Sequence, residues 1–321
     1  MTPRPRPHYV LPLRWTDDAG LAELTDYLLR LARVVPVTVV DGSSPALFAV
    51  HAAAWGHAVE HVAPDPWPGA NGKVAGVMTG LRRARADVVV VADDDVRWTP
   101  AQLDEAVALL GDADVLRPQN VFDPMPWHAR WDTARTLVNR AFAADYPGTL
   151  VVRRASLLRA GGYRGDVMFE NLELVRTVRA AGGREVRADA LVVRRLPPTS
   201  AHFWSQRVRQ AYDDLAQPAR LVAEASLLPA VLVALAARRP RRLLLGALVA
   251  VGVAERGRRR HGGVRVVGAG TVLLAPVWAA ERAVCVWLAL AARARGGVRY
   301  HGRRVRHAAS SPRALRRRAT L

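Results

Sequence analysis

Residues 69–98 read GANGKVAGVMTGLRRARADVVVVADDDVRW, and the fold turns on how the second half is read. Val88 to Val91 form a run of β-branched residues with no polar interruption, the pattern of a strand buried on both faces. The run stops at Asp93, Asp94 and Asp95, so carboxylates stand at the strand's carboxyl end. Before it, small residues lead into GLRRAR, a helical pattern opened by Asn71, Gly72 and Lys73, the single lysine among 47 basic residues. A helix followed by a buried strand is half of a βαβ unit, and such units build parallel sheets.

Working outward, further strand patterns fall at 9–13 (YVLPL), 35–41 (VPVTVVD) and 58–62 (AVEHV). Between the first two, Leu21, Leu24, Leu28 and Leu31 recur at helical spacing. The expected fold class is therefore α/β, a mostly parallel sheet flanked by helices. In such sheets ligands bind beyond the carboxyl ends of the strands. Asp41, followed by GSS, and the Asp93–Asp95 triplet both fall there and can share one crevice although about fifty residues separate them. Beyond a helix near 101–110 the chain reads as irregular through RPQNVFDPMPWHARW. Strand, short helix and glycine turn follow in GTLVVRRASLLRAGGY, then a helix over 169–181, strand character over 184–196 and an amphipathic helix over 203–218.

The charge is unevenly placed. The chain carries a net +19, yet residues 238–321 hold 20 Arg against Glu255 and Glu281, leaving about +1 for the other 237 residues. From 221 onward, uncharged stretches at 225–237, 243–254, 266–280 and 283–292 alternate with arginine clusters. None reaches the eighteen apolar residues of a clear spanning helix, which favours interfacial or re-entrant helices, with 266–292 able to span if Glu281 and Arg282 are paired. The basic apolar region is the part expected to meet a polyanion, and an anionic membrane explains the alternation better than nucleic acid, which is not an expected partner. The expected organisation is a catalytic domain over 1–218, membrane-associated helices over 219–296 and a tail over 297–321 without fixed structure. Cys285 is the only cysteine, so thiol-built zinc clusters and intrachain disulfides are excluded. The N-terminus lacks the apolar core of a secretory signal, and the expected location is the cytoplasmic face of the cell membrane.

Three adjacent carboxylates repel one another, and a divalent cation relieves the repulsion. Alternation along an extended segment would let Asp93 and Asp95 address one Mg2+ or Mn2+ while Asp94 turns elsewhere. Lys73 would reach phosphates held by that cation as a compact point charge. The same residues also admit a plainer reading, an acidic turn ahead of the helix near Pro100 and one lysine surviving in an arginine-biased chain.

Taken in order, VVDGSS, GANGKVAGVMTG, VVVVADDDVRWTP, GGY…FENLEL…AAGG and SQRVRQ resemble the landmarks of family 2 glycosyltransferases with the GT-A fold, over roughly residues 8–215. Their spacing is most similar to the ceramide-glucosyltransferase-like members. The resemblance implies a metal-dependent inverting transfer from a nucleotide-diphosphate sugar to a lipid, lipid-linked or glycan acceptor. Asp41 matches the residue contacting base or ribose, and Lys73 the lysine near the nucleotide. Asp93 and Asp95 match the outer residues of the DxD motif, with Asp94 between them in the nucleotide-sugar site. Gln206 and Arg209 match the start of a QxxRW motif. Two positions depart from the pattern. Asn171 stands where an aspartate commonly acts as general base, and an amide cannot accept that proton. Glu170, or failing it Glu173 or Asp166, would have to take over, or the protein is catalytically impaired. Gln210 replaces the tryptophan of the last motif, leaving Trp204 or Tyr212 to supply a stacking surface. A nucleotidyltransferase and a dinucleotide-dependent oxidoreductase are disfavoured because PLRWTDDAG lacks a glycine-rich phosphate loop.

Overall fold

The computed structural model describes residues 6–143, 145–300 and 302–319. The four expected strands form as β1 (His8–Leu13), β2 (Val37–Asp41), β3 (Glu60–Val62) and β4 (Val88–Ala92). They pair parallel in the order β3-β2-β1-β4, with Leu13 opposite Asp41 and Val10 opposite Val91. Four more strands complete one eight-stranded sheet in the order β3-β2-β1-β4-β7-β6-β8-β5: β5 (Val96–Arg97), β6 (Val115–Phe122), β7 (Thr149–Arg153) and β8 (Glu185–Arg195). β7 runs antiparallel to both β4 and β6.

Both faces of the central strands are apolar, so alternate residues enter two cores. On one side Tyr9, Leu11 and Val90 pack with Leu24, Leu28 and Leu31 of α1 (Leu21–Ala32) and Trp55 of α2 (Pro45–Trp55). On the other, Val10, Val89 and Val91 meet Val74, Val77 and Leu81 of α3 (Gly72–Arg83). Each such side chain taken from water contributes about 1.5–3 kcal/mol. The small residues of α3 have a geometric purpose. A Cβ on Gly80 would lie 2.2 Å from Val10 Cγ1 and one on Gly76 2.9 Å from Pro12 Cβ, so these glycines let the helix settle directly on β1.

The chain divides into two units. The first comprises residues up to Asn120, Tyr146–Arg194 and residues from Ser310 onward, and the second comprises Val121–Asp145 and Arg195–Ala309. The first contains the strands and helices above together with α4 (Pro100–Leu110), the C-terminal end of the chain and the segment carrying Glu170.

Several expectations are corrected. The stretch read as irregular contains β6 and α5 (Trp127–Phe142). Helix α5 lacks an apolar stripe because its inward positions include Asp132 and Arg140, both buried. After α6 (Arg154–Arg159) and α7 (Glu170–Ala180), the expected continuous helix at 203–218 is instead α8 (Ser200–Ser205), α9 (Arg207–Tyr212) and a 3-10 turn at Asp213–Ala216. In the segment read as a tail, the described residues form two strands and a helix. Val298–Tyr300 pairs with Arg303–Val305 in a two-stranded ribbon, and the last helix, Pro312–Ala319, packs on α7 through buried Leu315.

In the second unit, α10 (Pro218–Ala225), α11 (Leu227–Ala236), α12 (Pro240–Arg259) and α13 (Ala275–Ala294) assemble with α5. Gly257 of α12 lies so close to α5 that a Cβ there would be 1.8 Å from Leu137 O. Two stretches, Pro218–Ala236 and Ala269–Ala294, are long and apolar enough to cross a membrane; the sequence reading allowed this conditionally for the second and not for the first. The second carries Glu281 and Arg282, and both face inward. Arg282, fully buried, pairs with Asp214 at 3.0 Å, and Glu281 lies 3.7 Å from Arg207. Leu232, Val233, Leu235, Leu244, Leu245 and Leu248 of α11 and α12 are exposed, and exposed Arg238, Arg239, Arg241 and Arg242 lie on and around the turn between them.

Candidate active site

The site in the first unit is built at the carboxyl end of β4. The chain leaves the sheet at Ala92 and turns, with Val96 N–H donating to Asp93 O at 3.1 Å. Asp94 and Asp95 lie in this turn, which replaces the extended segment assumed for their alternation. Asp93 is held from the other side, its N–H bonded to Gly148 O at 2.8 Å. Asp94 accepts a hydrogen bond from the Trp15 indole. Three carboxylates thus occupy one turn, and the all-oxygen set of Asp93 and Asp95 fits a hard divalent cation such as Mg2+ or Mn2+.

Lys73 is brought to this turn by α3. Asn71 caps that helix, its Oδ1 accepting from Lys73 N–H at 3.1 Å. The same side chain donates to Val167 O at 3.0 Å, and its backbone N–H to Gly165 O at 2.7 Å. One asparagine therefore ties the start of α3 to the segment leading into α7, and Glu170 is the first residue of α7. Gly69 makes the approach possible. Its φ is +115°, and a Cβ would overlap the Gly165 carbonyl carbon at 2.1 Å. The ammonium of Lys73 consequently contacts Asp93 Oδ1 and, at 2.6 Å, Glu170 Oε1. Burial alone would lower the Lys73 pKa, but the charges of Asp93 and Glu170 outweigh it and raise it.

The two other residues singled out on α7 stand apart from this contact. Asn171 donates from Nδ2 to Pro147 O at 2.9 Å, a bond an ionised aspartate could not make. Glu173 is fully buried, and its Oε2 accepts the Ser310 N–H at 2.5 Å. Arg176 donates to Ser310 O at 2.8 Å, so α7 clasps the C-terminal segment. Asp166 pairs with neighbouring Arg164.

Asp41 ends β2 and is buried. Its Oδ1 accepts from Ser43 N–H at 2.8 Å, and its Oδ2 lies 2.6 Å from His51 Nδ1 and 3.1 Å from His61 Nε2. Burial alone would raise its pKa, but hydrogen bonds from His61, His51 and Ser43 hold the carboxyl well below the usual range. The two histidines went unnoticed in the sequence because each is a lone residue in its own element. The available signal was that three of nine histidines fall between residues 51 and 61.

Gln206 and Arg209 belong to the second unit. Gln206 contacts the His202 ring, and the Arg209 guanidinium lies 5.7 Å from the Tyr300 ring centroid. Tyr212 is fully buried and donates to Arg306 O at 2.6 Å, so it offers no stacking surface. Trp204 is half exposed, 6.2 Å from the equally exposed Trp127. A groove of about 890 Å³ runs beside Trp127 and Trp131.

Residues 15–212 match the family model described as "Glycosyltransferase like family 2", and the chain belongs to that family. Among solved structures it is similar to a mannosyltransferase from Pyrobaculum calidifontis in complex with GDP-Man and Mn2+, at 19% identity over 91% of this chain and 87% of that one, with a TM-score of 0.56. It is similar at lower TM-scores to a mycobacterial protein (0.44; 18% identity, 65% and 73% covered). A glucosyl-3-phosphoglycerate synthase from Mycobacterium tuberculosis in complex with Mn2+, UDP and glucosyl-3-phosphoglycerate follows (0.42; 17% identity, 65% and 78% covered). No curated protein matches this chain. The first likeness shows a GT-A fold, and the chain is a glycosyltransferase of family 2.

Proposed function

We propose that this protein moves a sugar, with inversion, from a nucleotide-diphosphate donor to a hydroxyl on a lipid, lipid-linked or glycan acceptor at the cytoplasmic face of the membrane. The observation that carries the reading is the Lys73 ammonium set between Asp93 and Glu170. Asp93 and Asp95 would hold Mg2+ or Mn2+, which when bound neutralises charge gathering on the leaving diphosphate. Diphosphate oxygens compete for the ammonium of Lys73. As Lys73 turns toward them, it adds positive field in the cleft and frees Glu170 to take the acceptor proton. Glu170 is preferred to Asn171, which has no basic oxygen for the task, and to Glu173, which is sealed against Ser310. Asp94, in the same turn, completes the proposed donor contacts. We place the chain with the ceramide-glucosyltransferase-like members on landmark spacing.

The membrane part of the reading rests on α11 and α12. Ten helical residues rise about 15 Å, half of a hydrocarbon core of about 30 Å, so α11 alone fits one leaflet. Exposed leucines on both helices and the four arginines around their turn suit an interfacial hairpin. Each arginine near an anionic surface contributes about 1 kcal/mol before screening. Trp127 and Trp204, half exposed and 6.2 Å apart in the second unit, are the aromatic surface proposed to take an apolar or sugar group. A catalytically impaired scaffold is the rival that Asn171 favours. Incubating the detergent-solubilised chain with Mn2+, a radiolabelled nucleotide sugar and a membrane lipid extract decides between them. The proposal expects label transferred from the donor, into the organic phase for a lipid acceptor and into an aqueous glycan otherwise, and lost in Glu170→Gln; no transferred label with any donor would favour the scaffold.

A further inference from the structure

The end of β2 holds a second constellation whose chemistry differs from that of the Asp93–Asp95 turn. Ser44 caps α2, its Oγ accepting from Leu47 N–H, and the helix then carries His51 back over the strand end. β3 pairs with β2 so that His61 lies opposite Val39, on the same side of the sheet edge. Asp41, His51 and His61 each offer one donor atom, and all three lie within 4.8 Å of one another. The side chains of Asp41 and His51 have no exposed surface, and that of His61 retains 6%. Aromatic rings fix the imidazole planes. Trp55 stacks on His51 with centroids 5.1 Å apart, and Phe48 stacks on His61 at 4.0 Å.

His51 Nε2 lies 3.1 Å from Asp18 Oδ1. With Nε2 donating there, Nδ1 faces a carboxylate oxygen 2.6 Å away, and either a second ring proton or a metal ion has to lie between them. His61 directs Nε2 at the same oxygen, while its Nδ1 is buried with no hydrogen-bond partner. A ring nitrogen aimed at a shared centre, with the opposite nitrogen held by a carboxylate, is the arrangement of a metal-ligating histidine, and Asp18 supplies that carboxylate for His51.

We propose that Asp41, His51 and His61 form a Zn2+ site, with Asp18 as the positioning residue that orients His51. Two imidazoles and one carboxylate select a borderline-soft ion and leave a fourth position for water, whereas the all-carboxylate turn at Asp93 and Asp95 suits Mg2+ or Mn2+. Bonds of about 2.0–2.1 Å in a tetrahedral set place donors about 3.3 Å apart. The His61 contact at 3.1 Å is nearly there, and His51, at 2.6 Å, must withdraw by a few tenths of an ångström. Zn2+ replaces the ring proton between His51 and Asp41, which leaves to solvent on binding. The bound ion would join β2, α2 and β3.

The test uses the full-length, tag-free chain stripped with chelator and then held in excess Mg2+, so that the carboxylate turn is supplied. Co2+ is titrated as the spectroscopic stand-in. The expected result is one equivalent bound with the intense visible absorption of a four-coordinate site, bleached stoichiometrically by Zn2+. His61→Ala should weaken binding at least 100-fold, Asp18→Asn roughly 10- to 100-fold with a shifted spectrum, and Asp95→Ala not at all. Asp18 is partly exposed, with 36% of its side chain accessible, so this variant decides the matter even if His61→Ala fails to fold. Absence of the visible bands in the wild-type chain, equal binding by wild type and Asp18→Asn, or loss of binding in Asp95→Ala would each overturn the assignment.

Discussion

Replacing Lys73 by Met keeps the length of the side chain and removes its charge, leaving Asp93 and Glu170 facing each other without the cation that now lies between them. Removing one partner from a fully buried pair costs about 3–5 kcal/mol. Here the side chains of Lys73, Asp93 and Glu170 keep 18%, 21% and 15% of their surface, so water offsets part of the loss, and about 2–3 kcal/mol is expected. The assay is denaturant unfolding of wild type and variant at pH 7, repeated at pH 4. The folded-state pKa of Lys73 is raised, so its contribution is fully present below the unfolded value of about 10.4 and fades only as pH climbs through the folded one. Between pH 7 and 4 the lysine therefore stays charged, and its own titration adds no pH dependence to the difference between the two proteins. Lys73→Arg keeps the charge but sets a planar fork where a point charge fits, and should lose donor binding while recovering most of the stability. A Lys73→Met midpoint within 0.5 kcal/mol of wild type would refute the idea that the ammonium holds these carboxylates together, as this is the scatter of ordinary surface substitutions, roughly ±0.5 kcal/mol.

Asn171→Asp should not restore a family-type base. It exchanges a donated hydrogen bond for a carboxylate facing Pro147 O and should cost about 1–3 kcal/mol in denaturation, with no gain in transfer rate. Gly80→Ala drives a methyl into Val10 and should cost about 1–3 kcal/mol by the same measurement. Burial alone would raise the Asp132 pKa, but Arg135 and Arg207 pull it far below the usual range. Its contribution is thus present above the unfolded value of about 3.9 and lost as pH falls through the folded one. Asp132→Asn should be destabilised by about 3–5 kcal/mol at pH 7, and the gap to wild type should close only well below pH 4.

The strands that carry the site were legible because their side chains obey one rule each. Val88–Ala92 is buried on both faces, and a run of valines can hardly be read otherwise. The helix that carries Lys73 in its first turn was legible from its small residues, although their reason, contact with Val10 and Pro12, required the neighbouring strand. Helix α5 was not legible because buried Asp132 and Arg140 interrupt the stripe that marks an inward face, and their partners lie far along the chain, Arg207 for the first and the Arg260 carbonyl for the second. The same cause hid the C-terminal helix. A stretch with four arginines between 313 and 318 reads as solvated chain until α7 supplies Glu173 and Arg176 to hold Ser310. Of the site residues, Lys73, Asp93 and Glu170 lie in contact, where the sequence reading had Lys73 reaching for phosphates, while Glu173 becomes part of the frame. Spacing along the chain cannot tell which of two carboxylates on a helix looks outward.

The most direct test of the central claim is a thermal-shift series with individual nucleotide-diphosphate sugars, each with and without Mn2+. One donor should raise the melting temperature only when the metal is present, a ligand at 100 times its Kd stabilising by about 2.7 kcal/mol, and Asp95→Ala should abolish the shift. A shift that needs no metal, one that persists in Asp95→Ala, or none with any donor would contradict a cation-held diphosphate at this strand end.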